Sequence, residues 1–327
     1  MPVLRDINPW NNIPAPIPPR FFNRKKVQGT VSQKFVWLVD KSGKKGIGIE
    51  FQQKVSDDFS VLKLKNLEFK IQPDGKTLTI LLLDEALVRQ FRIFCEDCID
   101  SIERILATTS ARTLQALGST VNRWLDLFKN SKKKFSSSME IGVFGELFIL
   151  NNVLNKKFQI SDCVHGWRGP KRDEQDFLLN NALIEVKSQM ASRDRVVTIS
   201  SLDQLDCVSG QIFLVHLGLS ATTKSMHNAL SLSQLVDNIL AKTKGDNYVT
   251  DTLLGNLQLA NYEHGVTEST TIFSTNFVNF FKVDDSFPKL IRKDVPSAID
   301  RASYSLDMAV MGSWQTSETT MLQEIGS

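Results

Sequence analysis

The spacing of hydrophobic residues changes several times along the chain, and each change predicts a different kind of structure. Residues 1–30 carry four prolines between positions 14 and 19 and no sustained apolar period, so we expect an extended arm there. From about residue 33 to residue 83 the pattern is typical of β-strands, as in Phe35–Val39 and Thr77–Leu83. This segment predicts a small antiparallel, β-rich subdomain.

The hydrophobic period becomes helical after Asp84 and stays helical to about Lys129. Apolar residues recur there every three or four positions, which predicts two helices. We therefore place a β-rich N-terminal subdomain with its connecting helices at residues 31–130. A polar stretch, Asn130–Ser138, separates this subdomain from the rest of the chain.

The second half of the chain alternates between helical and strand-like patterns, in the order helix, strand, strand, strand, helix, strand up to about Leu219. This order predicts an α/β (α+β) domain at residues 131–311, with a central mixed sheet flanked by helices. The last residues, 312–327, are rich in Ser and Thr and predict a loose tail. The further elements expected in the domain are helices at Leu230–Lys242 and Thr250–Tyr262 and strands at Thr271–Val283 and Ala302–Met311.

Two short apolar runs on either side of an Asn-Asn pair at positions 180–181 predict a tight β-hairpin. Asparagine tolerates the positive φ angle that a two-residue turn requires. If Leu179 faces Ala182, stepping outward along both strands brings Asp176 opposite Glu185, with their Cβ atoms about 5 Å apart.

Glu185 and Lys187 are two residues apart, so both side chains should point to the same face of the second hairpin strand. Together with Asp176 they place three charged groups on one patch. Facing carboxylates repel each other unless a cation lies between them. Mg²⁺, or Mn²⁺ in its place, suits this position because it binds carboxylate, water and phosphate oxygens. On spacing alone, an exposed polar sheet face is the competing interpretation.

A helix expected at Met139–Leu154 is apolar on all sides except for Glu146, which indicates a buried helix. An ionised carboxylate in such a helix is costly unless it is paired or bound to a metal ion, so Glu146 should point at a cation or at Lys187. The alternative is that Glu146 reaches water at the edge of the helix. Gly142 and Gly145 lower the helix propensity, which makes sense if the helix packs closely on the sheet.

The segment after the hairpin predicts a third strand at Arg193–Ile199 and the start of a helix, with a capping box, at Ser201–Gln204. Gln211–Leu219 is apolar nearly throughout, as in a fully buried strand. The step from strand through helix to strand predicts a right-handed parallel crossover.

Composition and charge narrow the function classes only slightly. The chain has 327 residues, of which 42% are hydrophobic and 23% charged, as in an ordinary globular protein. No stretch of the sequence approaches the length of apolar residues that a membrane span needs, so we expect a cytoplasmic protein with no membrane contact. The net charge of +3 does not itself indicate nucleic acid, but Arg168, Lys171 and Arg172 cluster near the hairpin and are expected phosphate contacts. Cys95 and Cys98 share one helix face, which favours buried thiols over a zinc site.

Six short motifs occur in order along the second part of the chain: Gly142-x-x-Gly145-Glu146-Leu147, Trp167-x-Gly169-Pro170, Asp176-Phe177, Glu185-Val186-Lys187-Ser188, Ser200-Ser201-x-x-Gln204-Leu205 and Phe287-Pro288-x-Leu290. Together with the order of the predicted elements, these motifs resemble those of the PD-(D/E)XK nucleases. More narrowly, the chain resembles a PD-(D/E)XK family associated with bacterial antiviral and restriction loci. The likeness covers about the last two thirds of the chain and is far more specific than a lone Glu-x-Lys.

The resemblance implies a restriction-endonuclease-like fold and metal-dependent hydrolysis of DNA phosphodiester bonds, in restriction or antiviral defence. It implies that Asp176 and Glu185 bind the metal ion, that Lys187 positions or activates the attacking water, and that Glu146 assists at the metal. Gln204 joins the basic cluster as an expected nucleic-acid contact.

The chain departs from the family motif at one position. Gln175 stands where the motif has its proline, while Pro170 lies upstream with Asp173 nearby, so Asp173 rivals Asp176 as the first acidic ligand. The hairpin register favours Asp176.

Two other functions remain open. The chain could be a catalytically silent nucleic-acid-binding subunit of a larger complex, or the nuclease-like domain could serve only as an interaction module. The intact Asp, Glu and Lys set argues against lost catalysis. Expected partners are DNA, a second copy of the chain and other proteins of a defence locus. Trp167 could stack on DNA or pack internally.

Overall fold

The computed structural model describes residues 7–31, 34–55, 66–104, 109–129, 135–206, 210–222 and 229–326. The chain forms two compact units, Met1–Lys133 and Lys134–Ser327. The predicted mixed α/β fold class is confirmed. No helix in these ranges is long and apolar enough to cross a membrane.

The elements of the first unit are β1 (Phe22–Lys26), β2 (Lys34–Asp40), β3 (Lys45–Glu50), β4 (Leu67–Ile71), β5 (Thr77–Leu82), α1 (Val88–Arg104) and α2 (Ser110–Lys129). The strands form a five-stranded antiparallel sheet with the order β1-β2-β3-β5-β4. Its central strands β2, β3 and β5 are buried along most of their length, whereas β4 alternates buried and exposed residues. The indole of Trp10 packs against Trp37 of β2 and Phe91 of α1.

Residues 7–30 differ from the extended arm predicted for this segment. They include β1, and they bury Trp10, whose Nε1 donates a hydrogen bond to the carbonyl of Gly46 at 2.7 Å. A single aromatic anchor produces no hydrophobic period, so the sequence pattern did not reveal it. In α1, Cys95 and Cys98 are fully buried free thiols, as expected, and burial raises the pKa of both.

The elements of the second unit are α3 (Ser137–Asn152), α4 (Ile160–Gly166), β6 (Phe177–Leu179), β7 (Ala182–Met190), β8 (Val196–Ile199), β9 (Gln211–Thr222), β10 (Leu230–Ser231), α5 (Leu232–Lys242), α6 (Asn247–Leu259), β11 (Ile272–Lys282), β12 (Tyr304–Asp307), β13 (Gln315–Thr316) and α7 (Glu318–Gly326). Six of the strands form a mixed sheet in which β10, β11, β9, β7 and β6 are neighbours in that order and β13 pairs with β11. Strands β7 and β9 are parallel, and the other pairs in this sheet are antiparallel.

One face of the mixed sheet packs against helices. Ile184 and Val186 of β7 belong to a core cluster that also contains residues of α3, α5 and α6. Helix α3 crosses β7 closely because Gly145 has no side chain: a Cβ there would overlap the Ser188 hydroxyl. The same role was expected of Gly142, but nothing in the described part of the chain lies within 4 Å of a Cβ built there, so that expectation was wrong.

The segment between the two parallel strands differs from the prediction. Strand β8 is not part of the mixed sheet but pairs with β12 in a separate two-stranded sheet. Residues 201–206 form turns, so the helix predicted at Ser201 is absent from the described part of the connection. The capping-box pattern was misleading because the Gln204 side chain accepts a hydrogen bond from the backbone N–H of Ser200 without any helix following.

The C-terminal residues are not a loose tail. They contain β13 and α7, and Met321, Leu322 and Ile325 are buried against the second unit's core. The Ser and Thr residues that suggested disorder instead stabilise the start of the helix, since the Ser317 hydroxyl accepts a hydrogen bond from the backbone N–H of Thr320 at 3.0 Å. The second unit therefore extends beyond residue 311.

Candidate active site

The β6–β7 hairpin brings the acidic residues together. Its register pairs Leu179 with Ala182 and Phe177 with Ile184, as the sequence predicts, and Asn180 takes the positive φ of 52° that the two-residue turn requires. Asp176 lies one residue before the first paired position, where the register continues to Glu185. The Oδ2 atom of Asp176 accepts a hydrogen bond from the backbone N–H of Val186 at 2.8 Å.

A short segment after α4 holds Asp176 from the other side. The backbone N–H groups of Arg168 and Gly169 donate to the carbonyl of Asp176, at 2.7 and 3.1 Å. A Cβ built on Gly169 would lie 2.6 Å from Glu146 Oε2 and 2.8 Å from Asp176 Oδ1. Two carboxylates, one from a helix and one from the strand edge, therefore converge on the space that a side chain at position 169 would fill.

Glu146 on α3 points into this group rather than into bulk water. Its Oε2 atom accepts a hydrogen bond from the indole Nε1 of Trp167 at 2.6 Å. Trp167 is fully buried, so its ring packs internally and does not face solvent. Burial and the negative charge of Asp176 raise the pKa of Glu146 well above its usual range, against the opposing effect of the indole hydrogen bond.

Glu185 and Lys187 form an ion pair on β7, in which the carboxylate is buried and the ammonium is partly exposed. The Lys187 Nζ atom lies 2.7 Å from Glu185 Oε1, and the Glu185 side chain is almost completely buried. The other oxygen, Oε2, is also buried and has no hydrogen-bond partner in the described part of the chain. Burial and the charge of Asp176 raise the pKa of Glu185 well above its usual range, although the Lys187 ammonium opposes them.

Gln204 bridges the two members of this ion pair. Its Nε2 atom donates to Glu185 Oε1 at 3.0 Å, and its Oε1 atom accepts from Lys187 Nζ at 3.4 Å and from the backbone of Ser200 at 2.7 Å. Gln204 was expected to contact nucleic acid. The structure instead makes it a support for both charged side chains, because each end of its amide is already engaged.

Gln175, which replaces the proline of the motif, fixes the position of Gln204. Its side-chain Nε2 donates to the carbonyls of Asp203 and Gln204, at 2.9 and 3.0 Å. Arg292 holds the same turn through a bidentate ion pair with Asp203, at 2.8 and 2.9 Å. In the sequence, Gln175 stands out only as a departure from the motif. Its position next to Asp176 was the one available signal that it supports the site.

The basic residues near the site do not form the phosphate-binding cluster that the sequence predicts. Arg168 is only 4% exposed, and its Nε atom donates to Asp173 Oδ2 at 2.5 Å. Lys171 is 5% exposed, and of the three only Arg172 has an exposed side chain. Because Asp173 serves as the counter-ion of a buried arginine, the geometry favours Asp176 as the acidic residue of the site.

The carboxylates fit a hard divalent cation, although they are not a ready-made cage. Within the described ranges, no three Asp, Glu, His or Cys side chains are placed so that they could hold a metal ion between them. Magnesium does not need such a cage, since it commonly keeps several waters and takes one or two carboxylates together with substrate phosphates. Glu185 Oε2, which has no hydrogen-bond partner among the described residues, and the oxygens of Asp176 and Glu146 that meet beside Gly169 are suitable ligands for such an ion.

Burial also raises the pKa of Asp176, to about 6, against the opposing effects of the Val186 N–H and the Lys187 charge. All three carboxylates therefore hold protons more tightly than usual. Groups that resist ionisation in this way gain a great deal from a nearby positive charge, which is what a bound cation supplies.

A mixed sheet whose hairpin carries Asp and Glu-x-Lys, beside a helix that adds a further Glu, defines a nuclease-like protein of the PD-(D/E)XK class. A family model described as "Putative PD-(D/E)XK family member, (DUF4420)" matches residues 7–309, and the chain belongs to this family. The predicted superfamily is thus confirmed. Proteins of this superfamily are usually nucleases and typically use Mg²⁺. We found no matching curated protein and no matching solved structure.

Proposed function

We propose that the chain is a Mg²⁺-dependent deoxyribonuclease that hydrolyses phosphodiester bonds and acts in restriction or antiviral defence in the cytoplasm. The observation that carries this proposal is the grouping of Asp176, Glu185 and Lys187 at one hairpin, with Glu146 beside them. Uncompensated, these buried carboxylates destabilise the fold, so a structural role alone does not explain their presence.

Asp176 and Glu185 would hold the metal ion, with Glu146 contributing from α3. When bound, the ion polarises a phosphate oxygen and offsets the charge that develops on the departing ester oxygen. Glu146 is kept in place by the Trp167 indole, and Asp176 by the backbone of Val186. The chain thus orients both carboxylates before any substrate arrives, which avoids reorganisation during the reaction.

Lys187 is suited to orient the attacking water. Its ammonium group has three donor positions, and Glu185 and Gln204 engage two of them, which leaves the third for water or a phosphate oxygen. The side chain is 18% exposed, so it reaches the solvent-facing side of the site. In the reaction, the water oxygen bonds to phosphorus as the bond to one ester oxygen breaks, and water supplies the proton that the departing oxygen gains.

A supercoiled-plasmid assay with Mg²⁺, Mn²⁺ or EDTA tests this proposal. The unaltered protein should nick or cut the plasmid with either metal and not with EDTA, and Lys187→Ala should lose cleavage while still binding DNA. Arg301→Ala, which alters an exposed surface residue of the same unit, is the matched control and should cleave normally. Cleavage by Lys187→Ala at the normal rate would contradict the assigned role.

The alternative function is a catalytically silent nucleic-acid-binding subunit within a larger complex. The observation that favours it is that Lys187 already occupies Glu185 Oε1, while the described residues offer no three-ligand cage. DNA binding without cleavage under every metal condition would support this alternative.

A second copy of the chain is a proposed partner, because one centre per chain cuts one strand at a time. Other defence-locus proteins are proposed partners as well. Light scattering with and without DNA would detect the dimer.

A further inference from the structure

The burial of Arg168 and Lys171 leaves open which side chains hold DNA beside the active site. The face of the mixed sheet that carries Glu185 and Lys187 is a second candidate surface for DNA contacts. Side chains at paired positions of neighbouring strands point to the same face. Lys187 of β7 pairs with His216 of β9. The next β7 residue on the same face, Gln189, pairs with Gly218 of β9, which in turn pairs with Phe277 of β11.

A β-bulge places the Phe277 ring on this face. The pairing of β11 with β9 shifts between Thr275 and Phe277, and bulges of this kind are frequent beside active sites, where they redirect a side chain. The ring lies across Gly218, where a Cβ would overlap it. It also meets the His216 ring edge-on, with centroids 5.0 Å apart. The Phe277 ring therefore packs directly on β9, against Gly218 and His216.

Arg195 lies over this ring. Its guanidinium carbon is 5.4 Å from the centroid of Phe277, and its backbone carbonyl accepts a hydrogen bond from the N–H of Met308 at 2.7 Å. The side chain is exposed, and within the described residues it forms no ion pair. A guanidinium stacked on an aromatic face keeps its in-plane N–H donors available, and those donors match the oxygens of a phosphate.

The buried His216 is consistent with a cation fixed at this position. Neither ring nitrogen has a hydrogen-bond partner in the described part of the chain. Burial lowers the pKa of His216 to about 4, and the positive charge of Arg195 contributes to that lowering. His216 is therefore neutral at neutral pH and adds no positive charge to this face beside Lys187 and Arg195.

We propose that Arg195, placed over the Phe277 ring, binds a backbone phosphate of DNA near the one being cut. This assignment of Arg195 rests on the proposed nuclease function. Phe277 lies two residues along and two strands across from Lys187, which corresponds to about 12 Å between Cα atoms. A separation of this size suits a phosphate near the scissile one on the same face of the sheet.

Fluorescence anisotropy with a labelled duplex of about 30 base pairs tests the proposal, in the Lys187→Ala background so that the duplex stays intact. Removing one phosphate contact should weaken binding about 5- to 10-fold near 0.1 M salt and reduce the slope of log affinity against log salt by about 0.9. Arg195→Ala should show both effects. Arg195→Lys should keep the slope, and Phe277→Leu should weaken binding about 2- to 3-fold, because the charge remains but is no longer held in place.

Arg301→Ala removes a surface charge that is almost fully exposed in the same unit and should leave the slope unchanged. An equal loss for Arg301→Ala and Arg195→Ala, or an unchanged slope for Arg195→Ala, overturns the proposal. If the protein cleaves DNA while Arg195→Ala binds it normally, only the role of Arg195 fails. If Arg195→Ala shows the expected loss and no metal supports cleavage, the nuclease function fails and the phosphate contact stands. A protein that binds no DNA overturns both.

Discussion

Replacing Asp176 with asparagine removes one charge from a crowded group of carboxylates and leaves the shape of the side chain almost unchanged. The amide carbonyl of the introduced asparagine can still accept the Val186 N–H, so the local hydrogen bond should survive. The folded protein raises the pKa of Asp176 from 3.8 to about 6, which means that ionising this group opposes folding. The variant therefore tests whether the site is strained by its own charge.

The sign and size of the effect follow from that pKa. Well below pH 3.8 the carboxyl is protonated in both states, so the unaltered protein and Asp176→Asn should be equally stable. As the pH rises from 3.8 through about 6, the unfolded chain ionises first, and the folded state loses up to about 2–3 kcal/mol relative to it. Well above pH 6 both states are ionised and the difference stays constant. Without metal at pH 8, Asp176→Asn should therefore be more stable than the unaltered protein by roughly that amount.

Hydrogen exchange of the β7 amides, with urea and EDTA, is the appropriate assay because it reports on the second unit alone. Adding Mg²⁺ should stabilise the unaltered protein at pH 8 and should stabilise Asp176→Asn much less. Asp173→Asn is the matched control and should lose stability at pH 8, since it removes the counter-ion of the buried Arg168. If Asp176→Asn is less stable than the unaltered protein in EDTA at pH 8, the reasoning about charge is wrong.

Two further substitutions test how the site is assembled. Gln175→Ala should lower the cleavage rate about tenfold at saturating DNA with little change in DNA affinity, because the turn that carries Gln204 loses two hydrogen bonds. Single-turnover kinetics measures the cleavage rate and anisotropy the affinity, and a change confined to affinity would contradict the supporting role of Gln175. Gly169→Ala should abolish the stabilisation by Mg²⁺ and lower the free energy of unfolding by about 1–3 kcal/mol, because the new methyl group meets both Glu146 and Asp176. Thermal unfolding with and without Mg²⁺ measures both effects, and a normal response to Mg²⁺ would mean that the cation binds elsewhere.

The hairpin and its acidic residues were predictable because the interactions that define them are local. A two-residue turn sets the register of its own strands, so the alignment of Phe177 with Ile184 follows from the Asn-Asn pair alone. The same alternation placed Glu185 and Lys187 on one face. Helix α3 was predictable from its continuous apolar pattern, and Gly145 from the close approach that such a helix makes.

The supporting interactions were not predictable, because they join residues distant in sequence. Gln175 reaches Gln204 across 29 positions, and Trp167 reaches Glu146 across 21. Nothing in the local pattern distinguishes an exposed Arg168 from one buried against Asp173. The C-terminal helix was missed for a related reason, since its short apolar face becomes evident only when the rest of the unit supplies a surface to cover it.

The hydrogen bond from Trp167 to Glu146 gives the molecule an optical property of its own. An indole N–H that points at a carboxylate experiences a different electric field when that carboxylate is ionised, protonated or neutralised by a cation. Trp167 is one of five tryptophans, and its fluorescence should therefore respond to occupation of the site, while the four others supply a constant background. Comparison with Trp167→Phe would isolate this signal, so that ion binding could be followed without labels, substrate or turnover.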